Sequence, residues 1–321
     1  MDFHTDIVSE LTSYFKLINP HTKDKKISQP IPLNLISADN PKEAQKIETR
    51  NKSYHLLERL LSFKRRHISS KKRNVLISQE LKKKLNSSEY NKFAPIIEQI
   101  ALDFQLGNDV NGRLSKRADR LDKDDPMLYE WNMYHLHLGK EKENKWSNYY
   151  ERTGNLLIVY IGEKDEIVYF VDISEGHKNN SLAFSRQKYL DILQRNWPYI
   201  LADFELKEIH LEDKITDEQL LSLRKKNATT INSIDGKTFF NPGIGVTSNG
   251  TSIQIIRKTD WLMDELERIE SYCRSNQKNF VPKQIPEYLD YKLKFDSKTW
   301  SLCIVEYSPG KPPKEIYQIY L

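Results

Sequence analysis

Three of the chain's eight histidines, His135, His137 and His177, fall within 43 residues of one another. Two of them sit in Trp131-Asn132-Met133-Tyr134-His135-Leu136-His137-Leu138-Gly139. In an extended chain successive side chains alternate between faces, so His135 and His137 project from one face and Leu136 and Leu138 from the other. Arg152 stands just before a β-rich run, Leu156–Ile161, and His177 just after a second, Ile167–Ile173. The five residues between the runs, Gly162 to Glu166, read as the turn of a hairpin. An antiparallel hairpin brings the residues that flank its open end together, which places Arg152 near His177. His135 and His137 join them if their strand pairs alongside. Imidazole transfers protons near neutral pH, and guanidinium binds a phosphate or the charge that develops on it. His135, His137, Arg152 and His177 are therefore the candidate catalytic set. The competing reading keeps the histidines as half-buried sheet residues and Arg152 in an ordinary ion pair.

His-x-His on a strand also begins many metal-dependent hydrolase centres, and Asp172 or His177 could add a third ligand. No cysteine lies nearby, and neither a His-Glu-x-x-His nor a calcium-loop pattern occurs, so the expectation is no metal and no cofactor. Pro242-Gly243-Ile244-Gly245 lacks the Lys-Ser/Thr of a phosphate-cradling loop and reads as a bend in a hairpin. Trp131, Trp146, Tyr149 and Tyr150 could stack bases, although aromatics beside a sheet more often belong to its core or rim.

The order of a His-bearing strand, Arg-x-x-x-Leu-Leu-Ile-Val-Tyr, a short turn, Ile-Val-Tyr-Phe-Val-Asp-Ile and Gly-His resembles the sheet of RelE-like endoribonuclease toxins. The resemblance covers about residues 135–205 and is one of pattern. It implies a small antiparallel sheet that cuts RNA without a metal, with the ribose 2′-hydroxyl as internal nucleophile. It further implies His135, His137 or His177 as base and acid and Arg152 as the phosphate-charge stabiliser. A ribosome or an antitoxin protein as partner, in a bacterial toxin–antitoxin or phage-defence setting, belongs to the same implication. The chain departs from that family in its length, in the charged insertion Lys140–Glu151, and in a helix after His177.

The elements that must carry these residues are legible in outline. Tyr54–Arg66 and Ala94–Leu106 have helical apolar spacing, and Gly107 supplies a stop after the second. Residues 20–52 read as a polar arm or connector, and Asn108–Asp125 as a loop. A helix is expected from Ser185 to Asn196, and Thr216-Asp217-Glu218-Gln219 matches a capping box whose helix ends at Asn227. Thr238–Thr247 and Thr251–Arg257 bracket Ser248-Asn249-Gly250 and suggest a second hairpin. A helix from about Trp261 to Arg274 and strands near Tyr291–Phe295, Trp300–Tyr307 and Ile316–Tyr320 complete the pattern. The expected fold class is α+β: a helical basic N-terminal region over 1–110, a central antiparallel-sheet domain of RelE-like pattern over 111–205, and a separate C-terminal α+β unit over 206–321.

Composition sets the partners. With 50 basic and 45 acidic residues the net charge is only +5, yet residues 51–100 alone sum to +8. Between Arg59 and Lys84 ten basic residues face one acid, Glu80. Three clusters carry most of them, Lys64-Arg65-Arg66, Lys71-Lys72-Arg73 and Lys82-Lys83-Lys84, and such a concentration can neutralise several phosphates of RNA or DNA. A solvated helix face is the alternative. Runs such as Leu156–Ile161 fall far short of the roughly 18–20 apolar residues that cross a bilayer. Asp2, Asp6 and Glu10 do not fit a signal segment, and two cysteines cannot form a disulfide framework. No membrane partner and a cytoplasmic location are expected. Two functions remain open: a metal-independent endoribonuclease, or a non-enzymatic nucleic-acid or protein-binding module with structural histidines. An antitoxin-like or immunity-like scaffold is a third.

Overall fold

The computed structural model describes residues 2–18, 41–145, 147–162, 164, 166–175, 182–277, 290–307 and 311–321. His177, Trp146 and residues 20–40 of the arm expected over 20–52 lie outside them, while the rest of that expected arm, 41–52, is helical. In chain order the elements are α1 (Phe3–Ile18), α2 (Pro41–Arg66), β1 (Asn74–Ile77), α3 (Gln79–Leu85), α4 (Ala94–Leu106), α5 (Pro126–Trp131), β2 (Met133–His137), β3 (Asn155–Ile161) and β4 (Ile167–Glu175). There follow α6 (Lys188–Asn196), α7 (Tyr199–Ala202), α8 (Asp217–Lys225), β5 (Asn232–Ile234), β6 (Lys237–Phe239), α9 (Ile253–Gln277), β7 (Asp290–Asp296), β8 (Ser301–Tyr307) and β9 (Lys314–Tyr320). The class is α+β, as expected. Among the described residues no helix is long and apolar enough to cross a membrane.

The chain packs as two units, Lys64–Gln254 and Met1–Phe63 with Ile255–Leu321. The divisions therefore fall after Phe63 and Gln254, not near 110 and 205. The reason is that residues on both sides of those expected boundaries build the central sheet's cores. Leu81, Ile97 and Phe104 pack on one of them, and Leu220, Ile234 and Phe239 on the other.

The sheet of Lys64–Gln254 has the order β1-β4-β3-β2. The pairs β2/β3 and β3/β4 are antiparallel, as the hairpin spacing predicts, whereas β1 runs parallel to β4. The sheet is thus mixed and not wholly antiparallel. Leu157, Val159 and Phe170 bury one face against α3 and α4, and Leu156, Ile158 and Val171 bury the other against α5 and α6. Strands covered on both faces need apolar side chains on both, which explains the unbroken Leu156–Ile161 run. Each such side chain contributes about 1.5–3 kcal/mol by leaving water.

In the other unit, Phe3, Ile7, Leu11 and Phe15 recur along α1 and are buried. The sheet β7-β8-β9 is antiparallel. Its β7 edge does not stay open: the Leu293 and Phe295 N–H groups donate to Asp6 Oδ2 (2.9 Å) and Glu10 Oε2 (3.3 Å) of α1. Carboxylates placed there blunt an edge that would otherwise pair with another chain.

Local signals that rest on backbone chemistry are realised. Gly107 ends α4 with φ +79°, and Thr216 and Gln219 exchange both capping-box hydrogen bonds. The hairpin expected around Asn249-Gly250 does not form. That turn closes only the Val246–Ser252 bridge, and the chain enters α9 at Ile253. Ile255, Thr259 and Leu262 are buried, and their three-to-four-residue spacing extends the helical stripe of Leu266, Ile269 and Cys273. The tight hairpin is β5/β6, around Asp235 (φ 50°) and Gly236 (φ +75°), the Asp-Gly turn that strand twist favours.

Gly107→Ala and Gly236→Ala should separate two costs. Both force alanine into the left-handed region, about 1–2 kcal/mol. At Gly107 the new Cβ would also lie 2.9 Å from the Lys72 backbone nitrogen, while at Gly236 nothing lies within 4 Å. Denaturant titration should therefore show the larger loss for Gly107→Ala; equal losses would mean that this close approach relaxes without cost.

Candidate active site

Asn132 delivers the histidine strand. It closes α5 in the left-handed conformation, φ 54°, and its side chain is held from two sides. Arg65 donates to Asn132 Oδ1 (2.9 Å), and Asn132 Nδ2 donates to the Pro242 carbonyl (3.0 Å). The chain then runs as β2 alongside β3, and the register sets two rows across the sheet. His135 lies opposite Ile158, which lies opposite Asp172; His137 lies opposite Leu156, which lies opposite Ser174. Residues in one row share a face, so His135, His137, Asp172 and Ser174 occupy one end of the α5/α6 face. Two strand spacings, about 10 Å, separate His135 from Asp172.

The His135 imidazole is 17% exposed, with Nδ1 3.8 Å from Asp125 Oδ2. Asp125 is itself fixed, because its Oδ1 caps α5 by accepting from the Leu128 N–H at 3.1 Å. Phe184 lies against the imidazole with ring centroids 4.7 Å apart. His135 opens onto a cavity of about 400 Å³ that Arg117, Lys123, Asp124, Asp125, Lys225 and Arg224 also line. Arg117 and Lys225 are exposed and Lys123 is half-buried, so three cations line the same cavity as an imidazole–carboxylate pair.

A buried ion pair shapes the far wall. Arg224 Nε donates to Glu130 Oε2 at 2.9 Å, and the two side chains are 4% and 0% exposed. The guanidinium stacks on Trp131, 4.0 Å from the ring centroid, and also donates to the Phe184 carbonyl. It thereby fixes the backbone that carries the ring beside His135. Burial pushes the Glu130 carboxyl above its ordinary range, and Arg224 opposes that shift.

The remaining expected site residues are distributed differently. His137 shares the face of His135 but does not line the cavity, and its carbonyl accepts from Arg113 NH1 at 3.3 Å. Arg152 is exposed, does not line the cavity, and acts electrostatically on Glu143 and Tyr149. The insertion around it folds back through Glu143 N–H to the Tyr149 carbonyl and Glu151 N–H to the Glu141 carbonyl, both 2.9 Å. His177 lies outside the described residues. Asp172, the third ligand of the metal alternative, is 2% exposed and bridges Lys84 (2.6 Å) and Lys188 (2.8 Å). Burial lowers the Lys84 ammonium pKa, which Asp172 raises and Lys188 lowers further. Among the described residues no group of three His, Cys, Asp or Glu is arranged to hold a metal ion. The Gly243 and Gly245 N–H groups donate to the Glu130 (2.7 Å) and Tyr129 (3.0 Å) carbonyls, so they are not turned toward a phosphate. Trp131 is fully buried and cannot stack a base.

The basic stretch divides into two classes. Arg66 and Arg73 are each 4% exposed. Arg66 donates to the Ala118 (3.2 Å) and Arg120 (2.8 Å) carbonyls; Arg73 donates to the Ser69 carbonyl (2.7 Å) and hydroxyl (2.6 Å). Arg65 holds Asn132 and Ser252 Oγ, and Lys84 holds Asp172. These four leave the nucleic-acid set because their donors already serve the fold. Lys71, Lys72, Lys82 and Lys83 are exposed and Lys64 is half-buried, and they keep that candidacy.

Asp125, Arg117, Lys123, Phe184, Arg224 and Lys225 were not anticipated from sequence. The charged, period-free stretch 108–125 was a signal, but nothing in it marked which charges turn toward His135. No family model, curated protein or solved structure matches the chain.

Replacing Lys71, Lys72, Lys82 and Lys83 by Gln should leave thermal unfolding unchanged. It should weaken binding to single-stranded RNA and flatten the salt slope by about 0.7 for each phosphate no longer neutralised. Arg66→Ala should instead cost about 1–3 kcal/mol of stability through orphaned buried carbonyls. An unchanged salt slope in the lysine variant would remove that face from any interface.

Arg224→Met leaves Glu130 buried without its partner and should cost about 3–5 kcal/mol at neutral pH. The folded-state pKa of Glu130 is raised, so folding takes up a proton, and the penalty applies above its ordinary pKa and fades as pH falls toward it. The stability gap to the parent should therefore narrow as pH falls from neutral toward the ordinary carboxylate range. A pH-independent gap would place the cost in packing against Trp131.

Proposed function

We propose that the chain is a metal-independent endoribonuclease of the RelE-like kind, working at the cavity beside His135. The observation that carries this reading is the His135 imidazole, held 3.8 Å from the Asp125 carboxylate on a cavity also lined by Arg117, Lys123 and Lys225. An imidazole can take and return a proton near neutral pH, and the Asp125 carboxylate beside it can balance the charge the ring gains. In this reading His135 removes the proton of a ribose 2′-hydroxyl, which then attacks the adjacent phosphorus. The 5′-oxygen leaves with a proton, and the RNA ends in a 2′,3′-cyclic phosphate. His137 shares that face but does not line the cavity, so the proton for the leaving oxygen comes from the His135 imidazolium or from Lys123 or Lys225 of the lining. Arg117 and Lys225 take the charge-stabilising role that the family resemblance assigned to Arg152, because they line the cavity and Arg152 does not. A metal-independent route is favoured by Asp172, which is neutralised by Lys84 and Lys188. Lys71, Lys72, Lys82 and Lys83 supply a non-specific phosphate-binding face.

Purified protein incubated with RNA in chelator should yield cyclic-phosphate ends, and His135→Ala should lose about 10²–10⁴-fold in rate, the usual worth of a general base. Asp125→Asn should reduce the rate, while Arg152→Ala should lose less than Arg117→Ala. If the parent chain retards RNA on a gel but never cuts it, the binding-module reading replaces this one.

A further inference from the structure

We infer that the cavity beside His135 seats one nucleotide unit, its base in the apolar part and its phosphate among the cations. The inference rests on the ribonuclease reading for its biological context, but its evidence is separate. A volume of about 400 Å³ falls in the range of small-molecule sites, roughly 300–1,000 Å³. Met127, Leu114, Leu221 and Phe184 give the lining an apolar portion, as a flat base requires.

A buried donor gives the site its second line of support. Ser185 lines the cavity and is 1% exposed, yet its hydroxyl has no hydrogen-bond partner. Native proteins rarely leave such a group unsatisfied, and an acceptor oxygen of a water or of a bound ligand meets the need. A ligand bearing acceptor oxygens answers that requirement.

The mixed charge of the lining narrows the ligand class. Arg117, Lys123 and Lys225 favour an anion, whereas Asp124 and Asp125 disfavour one that fills the whole cavity. A bare phosphate would meet both carboxylates. A nucleotide resolves the conflict, since its phosphate faces the cations and the N–H groups of its base can face the carboxylates. Aromatic stacking of a base on Phe184 adds attraction without sequence preference.

Calorimetric titration of the full chain with nucleoside 5′-monophosphates, nucleosides, ribose 5-phosphate and inorganic phosphate tests this inference. At least one monophosphate should bind ten-fold or more tightly than inorganic phosphate or its own nucleoside. Leu221→Trp, which fills the apolar part from a half-buried helix position, should abolish that binding while thermal unfolding stays within a few degrees of the parent. Ser185→Ala and Arg117→Gln should each weaken it several-fold, which keeps the test independent of the Trp variant's folding. Equal affinity for phosphate and nucleotide, or binding unchanged in Leu221→Trp, would overturn the assignment. A ribotrinucleotide that binds more tightly than the monophosphate assigns the cavity to an RNA chain; weaker binding assigns it to free nucleotides. Nucleotide binding with RNA left intact would sink the nuclease reading and keep the nucleotide site. RNA cleavage without nucleotide binding would do the reverse.

Discussion

Arg65 and Arg66, at the end of α2, fix the turn on which the candidate site depends. Arg65 reaches Asn132 Oδ1 and Ser252 Oγ, and Arg66 reaches the carbonyls of Ala118 and Arg120. Asn132 is left-handed, a conformation uncommon for a residue with a side chain, and Asn is among those that tolerate it. Its amide is bound at both ends, and Trp131 and Met133 on either side of it are buried in one apolar cluster, so hydrogen bonds and packing together set the angle at which β2 leaves α5. Asp125 lies at the other end of α5, as its N-cap. One six-residue helix therefore sets both the carboxylate and the strand that carries its imidazole partner. Guanidinium suits this task because its planar set of donors can satisfy several carbonyls at once, which an ammonium does not do in a fixed geometry.

The same two arginines show where charge counting fails as a guide to partners. The basic excess over residues 51–100 is real, but a tally cannot separate a lysine in water from an arginine that ties two loops together. Type carries part of the answer. Arg66 and Arg73 are buried with donors on backbone carbonyls, whereas Lys71, Lys72, Lys82 and Lys83 stay exposed, in line with the weaker hydration of guanidinium. Clusters that mix Arg with Lys are thus better read residue by residue than as a patch.

The antiparallel part of the sheet was legible because its signals are local. Leu156–Ile161 and Ile167–Ile173 are rich in β-branched and aromatic residues and are separated by five turn residues. Strand β1 was not legible: Asn74-Val75-Leu76-Ile77 is short, follows a run of charge, and pairs in parallel with β4 across some ninety residues of chain. Helix α9 was mistaken over its first two turns because Thr251–Arg257 has strand-like composition, and only packing of Ile255 and Thr259 decides the matter. At the site, His135 could be found from its alternation with Leu136. Its surroundings could not, since Asp125 precedes it by ten residues while Phe184 and Arg224 follow it by about fifty and ninety. Such proximity is a property of the tertiary fold.

The face of the sheet that carries His135 changes character along its length. Met133, Tyr160 and Tyr169 occupy one end, in an apolar cluster with Trp131 and Trp197; His135, His137, Asp172 and Ser174 occupy the other in successive register. Polar groups cost free energy to bury unless each finds a partner. Asp172 meets that condition with two lysines and Ser174 with the Glu175 carbonyl. An apolar replacement would satisfy the same positions with less demanding geometry, since well-packed apolar groups can match or exceed buried ion pairs in stability. Stability alone therefore does not account for a polar end on an otherwise apolar face. In the proposed reading that end brings His135 to the cavity, while Asp172 and Ser174 stay buried away from it with partners of their own.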